Sequence, residues 1–367
     1  MVELKNIDNL VNMVIENVNS YLKNYFKHLH EEASAESVYV DDLVSIVEDY
    51  TLRGGKRLRA VLALIGYLSR KREISDLENI TKVMSAIELL QSYLLVHDDI
   101  MDRDELRRGG PTVHAWFRRK CEEMYWKDCV HYGISQAITS GDYLEANAVS
   151  LLASLNVSAR TLADLITTYS KGLRKVAYGQ YLDVLLSQTS IRDVKESDVL
   201  LVYKLKTSSY TVELPLHLGI ISSENYDEKA LREATNYAIP AGLAFQIRDD
   251  IIGLYGDPMV TGKPVGSDVR GKKKTLLVVK AYELADENDR SFLKQLYDEL
   301  SEADITLDHI ERVRNIVRKT GSLEYCERLL SSLVKKALES LDEAREISED
   351  AKKLLKELTL KLAYREK

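Results

Sequence analysis

Residues that interrupt helices are scarce in this sequence. Its 367 residues include only 5 prolines and 17 glycines. Because proline removes a backbone donor and glycine is costly inside a helix, their scarcity favours long helices over many short strands. Fixed-period repeats, low-complexity tracts and long linkers are also missing, and the 45% of hydrophobic residues can fill a large core. We therefore expect one helical domain spanning residues 1–367.

Three further absences each argue against a class of protein. The formal net charge of −7 provides no basic excess, which argues against nucleic acid as the main partner. No run of about 18 apolar residues could span a bilayer, and the N-terminus lacks the apolar run of a signal peptide. Cys121, Cys129 and Cys326 form no CxxC pair and cannot all be disulfide-bonded. We expect reduced cysteines in a cytoplasmic protein.

Apolar residues recur at helical spacing along most of the chain. Segments 57–69 and 81–103 are nearly continuous apolar runs, too long for strands, and are predicted to be helices buried on most faces. Loops are expected at 107–111, where Gly-Gly-Pro cannot continue a helix, and at 256–271. The other predicted helices span residues 4–30, 135–155, 159–188, 197–220, 227–255, 273–284, 288–300 and, with breaks, 307–365.

The strongest chemical signal is the acidic string that ends the most apolar helix, Asp98-Asp99-Ile100-Met101-Asp102. With 3.6 residues per turn, Asp98 and Asp102 lie on one face about one turn apart. Two carboxylates on one ridge repel each other unless a cation joins them. Mg²⁺ that bridges carboxylates to substrate phosphates is the usual solution. Taken alone, the string could also be a solvated helix end.

A second acidic pair, Asp249-Asp250, ends another apolar stretch, and Gln246 precedes it on the same face. Two such pairs suggest opposing walls of one cavity, in which ions clamp a diphosphate. Basic residues accompany the pairs. Some of them open a helix after Gly54-Gly55, a favourable place for an anion. The predicted phosphate partners are Lys56, Arg59, Arg107, Arg108, Lys206, Thr207 and Lys263.

These motifs resemble those of the trans-type isoprenyl diphosphate synthases, in the same order along the chain. The resemblance implies an all-α fold, a single large helical bundle of the isoprenoid synthase type around a central apolar cavity. The matching strings are GGKRLR (54–59), HDDIMDRDELRRGGPTVH (97–114), GQYLD (179–183), KTSS (206–209), FQIRDDIIGLYGD (245–257) and TGKPVGSDVRGKKKT (261–275).

The resemblance also implies a role for each matching residue. Two Mg²⁺ ions would be bound by Asp98, Asp99 and Asp102, and a third by Asp249 and Asp250. The allylic diphosphate would be held by Arg107, Lys206, Gln246 and Lys263. Isopentenyl diphosphate would be held by Lys56, Arg59, Gln91 and Arg108. The cavity near the reacting carbons would be lined by Gln180, Asp183 and Thr207.

The implied reaction ionises the allylic C–O bond, and the double bond of isopentenyl diphosphate then attacks the carbocation. Cations around the leaving diphosphate stabilise its developing charge, and an apolar cavity keeps water from the carbocation. In this family, bulk before the first acidic motif limits chain growth. Tyr93 and Leu94 occupy the fifth and fourth positions before Asp98. They predict geranylgeranyl diphosphate, with farnesyl diphosphate as the alternative.

The sequence departs from the family pattern at three places. Gly253 replaces a third carboxylate in the second motif, and Ala60 stands where proline is common. Residues 115–131 look like an insertion, which could be a lid, a subunit contact or a surface excursion. The family also implies a homodimer that packs helices around 135–165. The sequence itself shows only that these helices are apolar on more than one face, with residues that include Ala137, Ala146, Ala148, Val149, Leu151 and Leu152.

Two functions from other classes compete with this prediction. A terpene cyclase would share the first acidic motif but would not need a second anion site. A catalytically silent subunit of a heteromeric synthase would be expected to lose aspartates from the first motif, whereas this chain keeps all three. Both alternatives are therefore disfavoured.

Overall fold

The computed structural model describes residues 6–71, 73–256 and 266–364, which are helical almost throughout. Within these ranges the only strands, Leu106–Arg107 (β1) and Gly110–Pro111 (β2), pair as a short antiparallel hairpin. The all-α prediction is confirmed. None of the helices in these ranges has the length and apolar character needed to cross a membrane.

The helices fall at the following positions. They are α1 Ile7–Glu36, α2 Asp41–Leu52, α3 Leu58–Leu68, α4 Leu77–Asp102, α5 Val113–Glu123, α6 Cys129–Ala153, α7 Ala159–Gln188, α8 Glu196–Val202, α9 Leu214–Ser222, α10 Glu228–Tyr255, α11 Ser267–Arg270, α12 Leu276–Leu284, α13 Glu287–Lys294, α14 Leu307–Lys319, α15 Ser322–Glu343 and α16 Glu349–Ala363. Tyr203–Glu213 and Gln295–Glu299 are π-helical, and Glu302–Asp304 is a 3₁₀ turn.

One compact unit comprises Met1–Thr168 and Pro215–Tyr226, and α4 lies at its centre against α3 and α6. The side chain of Asp76 caps α4 by accepting a hydrogen bond from the backbone N–H of Asn79 at 2.9 Å. Nearly every residue of α4 as far as Ser92 is buried. The acidic string at the end of α4 is therefore carried by a rigidly packed helix.

The second compact unit comprises Tyr169–Leu214 and Asp227–Lys367, and α10 packs in it against α15 and the π-helical segment. Gly242 permits the close approach of that segment, because a Cβ atom there would lie 2.5 Å from the Cα of Ser208. This contact sets the second acidic pair beside Tyr203–Glu213. The single-domain prediction is not tested by the division into units and stays a prediction.

Several boundaries differ from the expected ones. Helix α2 was missed because its apolar stretch is short, and the predicted helix 197–220 is interrupted by the π-helical turn. The expected loop 256–271 ends in the short helix α11, and residues 257–265 lie outside the described ranges.

The segment predicted to be an insertion is largely helical. It contains most of α5 and the beginning of α6, and a disulfide joins Cys121 to Cys129 across the connection. The prediction of reduced cysteines is therefore wrong for this pair, because the fold brings two thiols eight residues apart into bonding distance. Cys326 is free and buried.

Candidate active site

The three aspartates of the first acidic motif do not share one environment. Asp98 and Asp102 are partly exposed on one face of the last turn of α4, whereas Asp99 is fully buried. Asp99 accepts hydrogen bonds from the hydroxyl of Tyr50 at 2.5 Å and from Nε of Arg107 at 2.7 Å. Both carboxylate oxygens of Asp99 are therefore engaged within the protein.

Burial raises the pKa of Asp99 to about 6, although the adjacent Arg107 guanidinium acts in the opposite direction. Arg107 also donates to Asp104 at 3.0 Å. These contacts fix the guanidinium near Asp98, whose negative charge acts on it. The geometry assigns Asp99 to holding Arg107, and it places Asp98 and Asp102 as the carboxylates on the accessible face.

A second cluster of positive charge surrounds the glycine pair before α3. Arg108, in the β1–β2 hairpin, donates from Nη1 to the carbonyl of Gly54 at 2.6 Å. Gly55 has a φ of +121°, and a Cβ atom there would lie 3.1 Å from the Arg108 guanidinium. Burial lowers the pKa of Arg108, and the nearby positive charges of Arg57 and Arg59 contribute in the same direction. The positive charges in this cluster are favourable for binding an anion.

Arg57 has a structural role that the motif alone did not reveal. It is buried, donates from Nη1 to Glu88 at 2.9 Å and from Nη2 to the carbonyl of Thr51 at 2.8 Å. The same guanidinium also bonds Asn19. Arg57 therefore locks the glycine loop to α1 and α4, while Lys56 beside it is exposed.

The second acidic pair repeats the arrangement of the first. Asp250 is buried, whereas Asp249 is partly exposed. Asp250 accepts from the hydroxyl of Tyr203 and from Nε2 of Gln246 at 2.8 Å. The Tyr203 hydroxyl in turn accepts from the backbone N–H of Leu276 at 2.9 Å. Burial raises the pKa of Asp250 to about 7, and the negative charge of Asp268 adds to that shift.

The π-helical segment brings two further predicted residues to this pair. Thr207 donates to Oε1 of Gln246 at 2.7 Å, and Lys206 forms an ion pair with Asp183 of α7 at 2.7 Å. Gly179 allows that approach, since a Cβ atom there would lie 2.5 Å from the backbone nitrogen of Lys206. The strings KTSS, GQYLD and FQIRDD thus meet in one place, as the resemblance implies.

The remaining predicted residues are placed as follows. Gln91 is buried in α4, and Gln180 is partly buried in α7. Tyr93 is half-buried, with its ring 4.8 Å from that of His97, and burial raises its pKa, with Asp142 and Glu145 of α6 nearby. Lys263 lies outside the described residues.

Four residues around the two acidic motifs were not predicted from the sequence: Tyr50, Tyr203, Asp268 and Lys273. The positive charge of Lys273 acts on Asp250. In residues 6–71, 73–256 and 266–364, no three carboxylate, imidazole or thiol groups converge on a point that could hold a metal ion.

Known proteins are similar to this chain over most of its length. Residues 41–317 match the Polyprenyl synthetase family. A geranylgeranyl diphosphate synthase of Saccharolobus solfataricus is 33% identical over 354 residues, covering 95% of this chain and 94% of that protein. A geranylfarnesyl diphosphate synthase of Aeropyrum pernix is 33% identical, covering 86% of this chain and 95% of that protein.

A solved structure is also similar over nearly the whole chain. The crystal structure of geranylgeranyl pyrophosphate synthase from Corynebacterium glutamicum, complexed with isoprenyl diphosphate and magnesium, has a TM-score of 0.89 at 28% identity. The match covers 98% of this chain and 99% of that one. The fold is thus the all-α isoprenoid synthase fold, and the enzyme class is trans-prenyltransferase. The chain belongs to the polyprenyl synthetase family, among the short-chain trans-isoprenyl diphosphate synthases.

Proposed function

We propose that this enzyme condenses isopentenyl diphosphate with allylic diphosphates (dimethylallyl, geranyl and farnesyl) and releases geranylgeranyl diphosphate. The observation that carries the proposal is the presence of two separate basic clusters in one unit. Arg107 lies beside the first acidic motif, and Arg108 lies against the Gly54–Gly55 loop with Arg57 and Arg59. Two anion sites suit a reaction with two diphosphates. A terpene cyclase binds only one.

We assign different residues to the binding of the two substrates. Arg107, Lys206 and Gln246, together with Lys263, bind the allylic diphosphate. Isopentenyl diphosphate is bound by Lys56, Arg59, Gln91 and Arg108. Lys206 leaves Asp183 to do so, because the phosphate charge exceeds that of one carboxylate.

The carboxylate oxygens of these aspartates are ligands of the kind that Mg²⁺ prefers. Asp98 and Asp102 would hold two ions and Asp249 a third, while Asp99 and Asp250 act mainly by positioning their partners. When bound, Mg²⁺ neutralises the charge that develops on the leaving diphosphate. Gln180, Asp183 and Thr207 line the approach to the reacting carbons, and the departing diphosphate accepts the proton lost at the end.

The C20 product is supported by the relatives, several of which are geranylgeranyl diphosphate synthases. The relative from Aeropyrum pernix is named for a longer product, geranylfarnesyl diphosphate. Tyr93 and Leu94 on α4 are the residues we propose to limit chain growth. A farnesyl diphosphate synthase or a silent subunit is not favoured by these relatives.

We also propose a cytoplasmic homodimer that uses α6. Ala137, Ala148, Leu151 and Leu152 are buried within the protomer, whereas Ala146 is exposed and Val149 is partly exposed. Val130 and Ile138 are large apolar side chains exposed on α6, and the smaller Ala146 is exposed as well. Sedimentation velocity of the wild type and of an Ile138→Lys variant tests this arrangement.

An assay of the purified protein tests the proposed activity. The enzyme is incubated with Mg²⁺, labelled isopentenyl diphosphate and each allylic primer, and the products are separated by chain length. We expect a C20 diphosphate, abolished by Asp98→Asn or Asp102→Asn and unaffected by Asp308→Asn on the exposed start of α14. Cyclised hydrocarbon, or turnover that requires a partner chain, would contradict the proposal.

A further inference from the structure

A carboxylate from another element occupies the space beside Gly253, where the second acidic motif lacks its third acid. A Cβ atom built on Gly253 would lie 2.6 Å from Oδ2 of Asp268. The Asp268 carboxylate therefore rests against the Cα of Gly253. A side chain at position 253 would have to displace it.

Gly253 lies on the same face of α10 as Asp249. Residues four apart on a helix are neighbours on one face, so position 253 lies one turn beyond Asp249. Asp98 and Asp102 have the same spacing on α4. Asp268 thus puts a carboxylate on the accessible face, one turn from Asp249, where the first motif has its last aspartate.

Asp268 is electrostatically coupled to the same pair. The negative charge of Asp268 acts on Asp250, and the positive charge of Lys273 acts on it in the opposite sense. Asp249, Asp250 and Asp268 therefore concentrate negative charge around one turn of α10. Lys273 offsets part of this charge, and a bound divalent cation would offset more of it.

Helix α11, which carries Asp268, is held firmly by the fold. Val269 is buried in the core of the unit, and Arg270 donates from Nη1 to the carbonyl of Ile305 at 2.8 Å. The backbone N–H of Lys273 donates to the carbonyl of Asp268 at 2.9 Å. Gly266 starts the turn with a φ of +66°, and a Cβ atom there would lie 2.6 Å from the Ile310 side chain.

We propose that Asp268 supplies the third carboxylate of the second acidic motif and, with Asp249, holds a divalent cation against the allylic diphosphate. The inference rests on the proposed function for the identity of the diphosphate. It also explains Gly253, because the acid arrives from α11 and only a glycine leaves room for it. Mg²⁺ bound by two carboxylates and substrate oxygens is a common arrangement.

The first test removes the charge of Asp268 and keeps its shape. In Asp268→Asn we expect the Mg²⁺ concentration for half-maximal turnover to rise about tenfold. Calorimetric binding of inorganic diphosphate in the presence of Mg²⁺ should weaken by a similar factor. Asp308→Asn serves as the matched control, and circular dichroism checks that each variant is folded. Unchanged Mg²⁺ dependence together with unchanged diphosphate binding in Asp268→Asn would overturn the proposal.

The second test moves the carboxylate back to the helix. The double variant Gly253→Asp/Asp268→Ala should bind Mg²⁺-diphosphate better than Asp268→Ala. The substitution at position 253 places a carboxylate on α10, and the alanine at position 268 leaves room for it. Binding no better than in Asp268→Ala would overturn the proposal. The binding measurements separate the two proposals: a wild type that binds Mg²⁺-diphosphate but makes no prenyl diphosphate would contradict only the proposed function.

Discussion

At the scale of single residues, each acidic pair contains one aspartate turned into the protein and one on the accessible side. Tyr50 holds Asp99 and Tyr203 holds Asp250. Helical periodicity contained part of this information, because successive residues point about 100° apart and Asp99 could not share the face of Asp98 and Asp102. The buried tyrosine partners are distant in sequence, so no local pattern could have revealed them.

The anchoring role of Tyr50 leads to a first prediction. In Tyr50→Phe, Asp99 loses a buried hydrogen bond, which should cost about 1–2 kcal/mol of stability and let Arg107 shift. We expect kcat to fall about tenfold, since a small misplacement of a phosphate-binding group is costly.

Tyr67→Phe is the matched control for Tyr50→Phe. Its hydroxyl also makes one hydrogen bond, to Ser75 at 2.9 Å, in the same unit but away from the acidic motif. The free energy of unfolding of Tyr67→Phe, measured with urea, should fall by a similar amount. Its kcat should stay that of the wild type. Equal losses of kcat in the two variants would show that Tyr50 acts through stability alone.

A second prediction at this scale concerns pH. His30 on α1 contacts Asp41 at 2.6 Å and Glu48 at 2.9 Å, both on α2. Burial alone would lower the pKa of His30, but the hydrogen bonds to the two carboxylates outweigh it and the pKa is raised. The folded state therefore binds the proton more tightly than the unfolded state. This stabilisation is full below the ordinary histidine pKa and is lost as pH rises through the folded-state value.

The melting temperature measured from about pH 6 to pH 9 should therefore fall more steeply for the wild type than for His30→Asn. His28→Asn provides the control, because His28 is largely exposed and pairs with the exposed Glu31. A His30→Asn variant with the pH dependence of the wild type would contradict this interpretation.

At the scale of elements, long apolar runs were the most predictable feature of the fold. Helices α1, α4, α7 and α10 lie close to their expected positions because their apolar periodicity extends over many turns. The π-helical turn within 203–213 was not predictable in this way. It depends on tertiary contacts such as those of Gly179 and Gly242, which draw the segment towards α7 and α10.

The disulfide between α5 and α6 provides a prediction for an element. Closing a loop of this length should stabilise the protein by about 2–3 kcal/mol through the entropy of the unfolded chain. The variant Cys121→Ala/Cys129→Ala should unfold at a lower urea concentration, and the wild type with a reducing agent should behave in the same way. The reducing agent should leave the double variant unchanged. A reducing agent with equal effects on both proteins would contradict this prediction.

At the scale of the whole molecule, the order of motifs along the chain predicted more than any single motif. The paired aspartates alone indicated a cation site, whereas the two basic clusters indicated two diphosphates. The sequence did not reveal which aspartate of each motif is buried and which is accessible, because that depends on the tertiary fold. Asp268 shows the same limit, since its proximity to Gly253 is a tertiary contact between α11 and α10.

The proposed product length is a property of the whole enzyme and yields the last prediction. Tyr93 is half-buried on α4 with its ring beside His97, five residues before Asp98, the first of the aspartates proposed to bind metal. If its ring limits the growing chain, Tyr93→Ala should shift the product from C20 towards C25 and longer, because the ring no longer fills that space. Tyr93→Phe keeps the ring and should keep the C20 product. Chromatography of the products is the measurement. The same product from Tyr93→Ala as from the wild type would mean that Tyr93 only packs against α6.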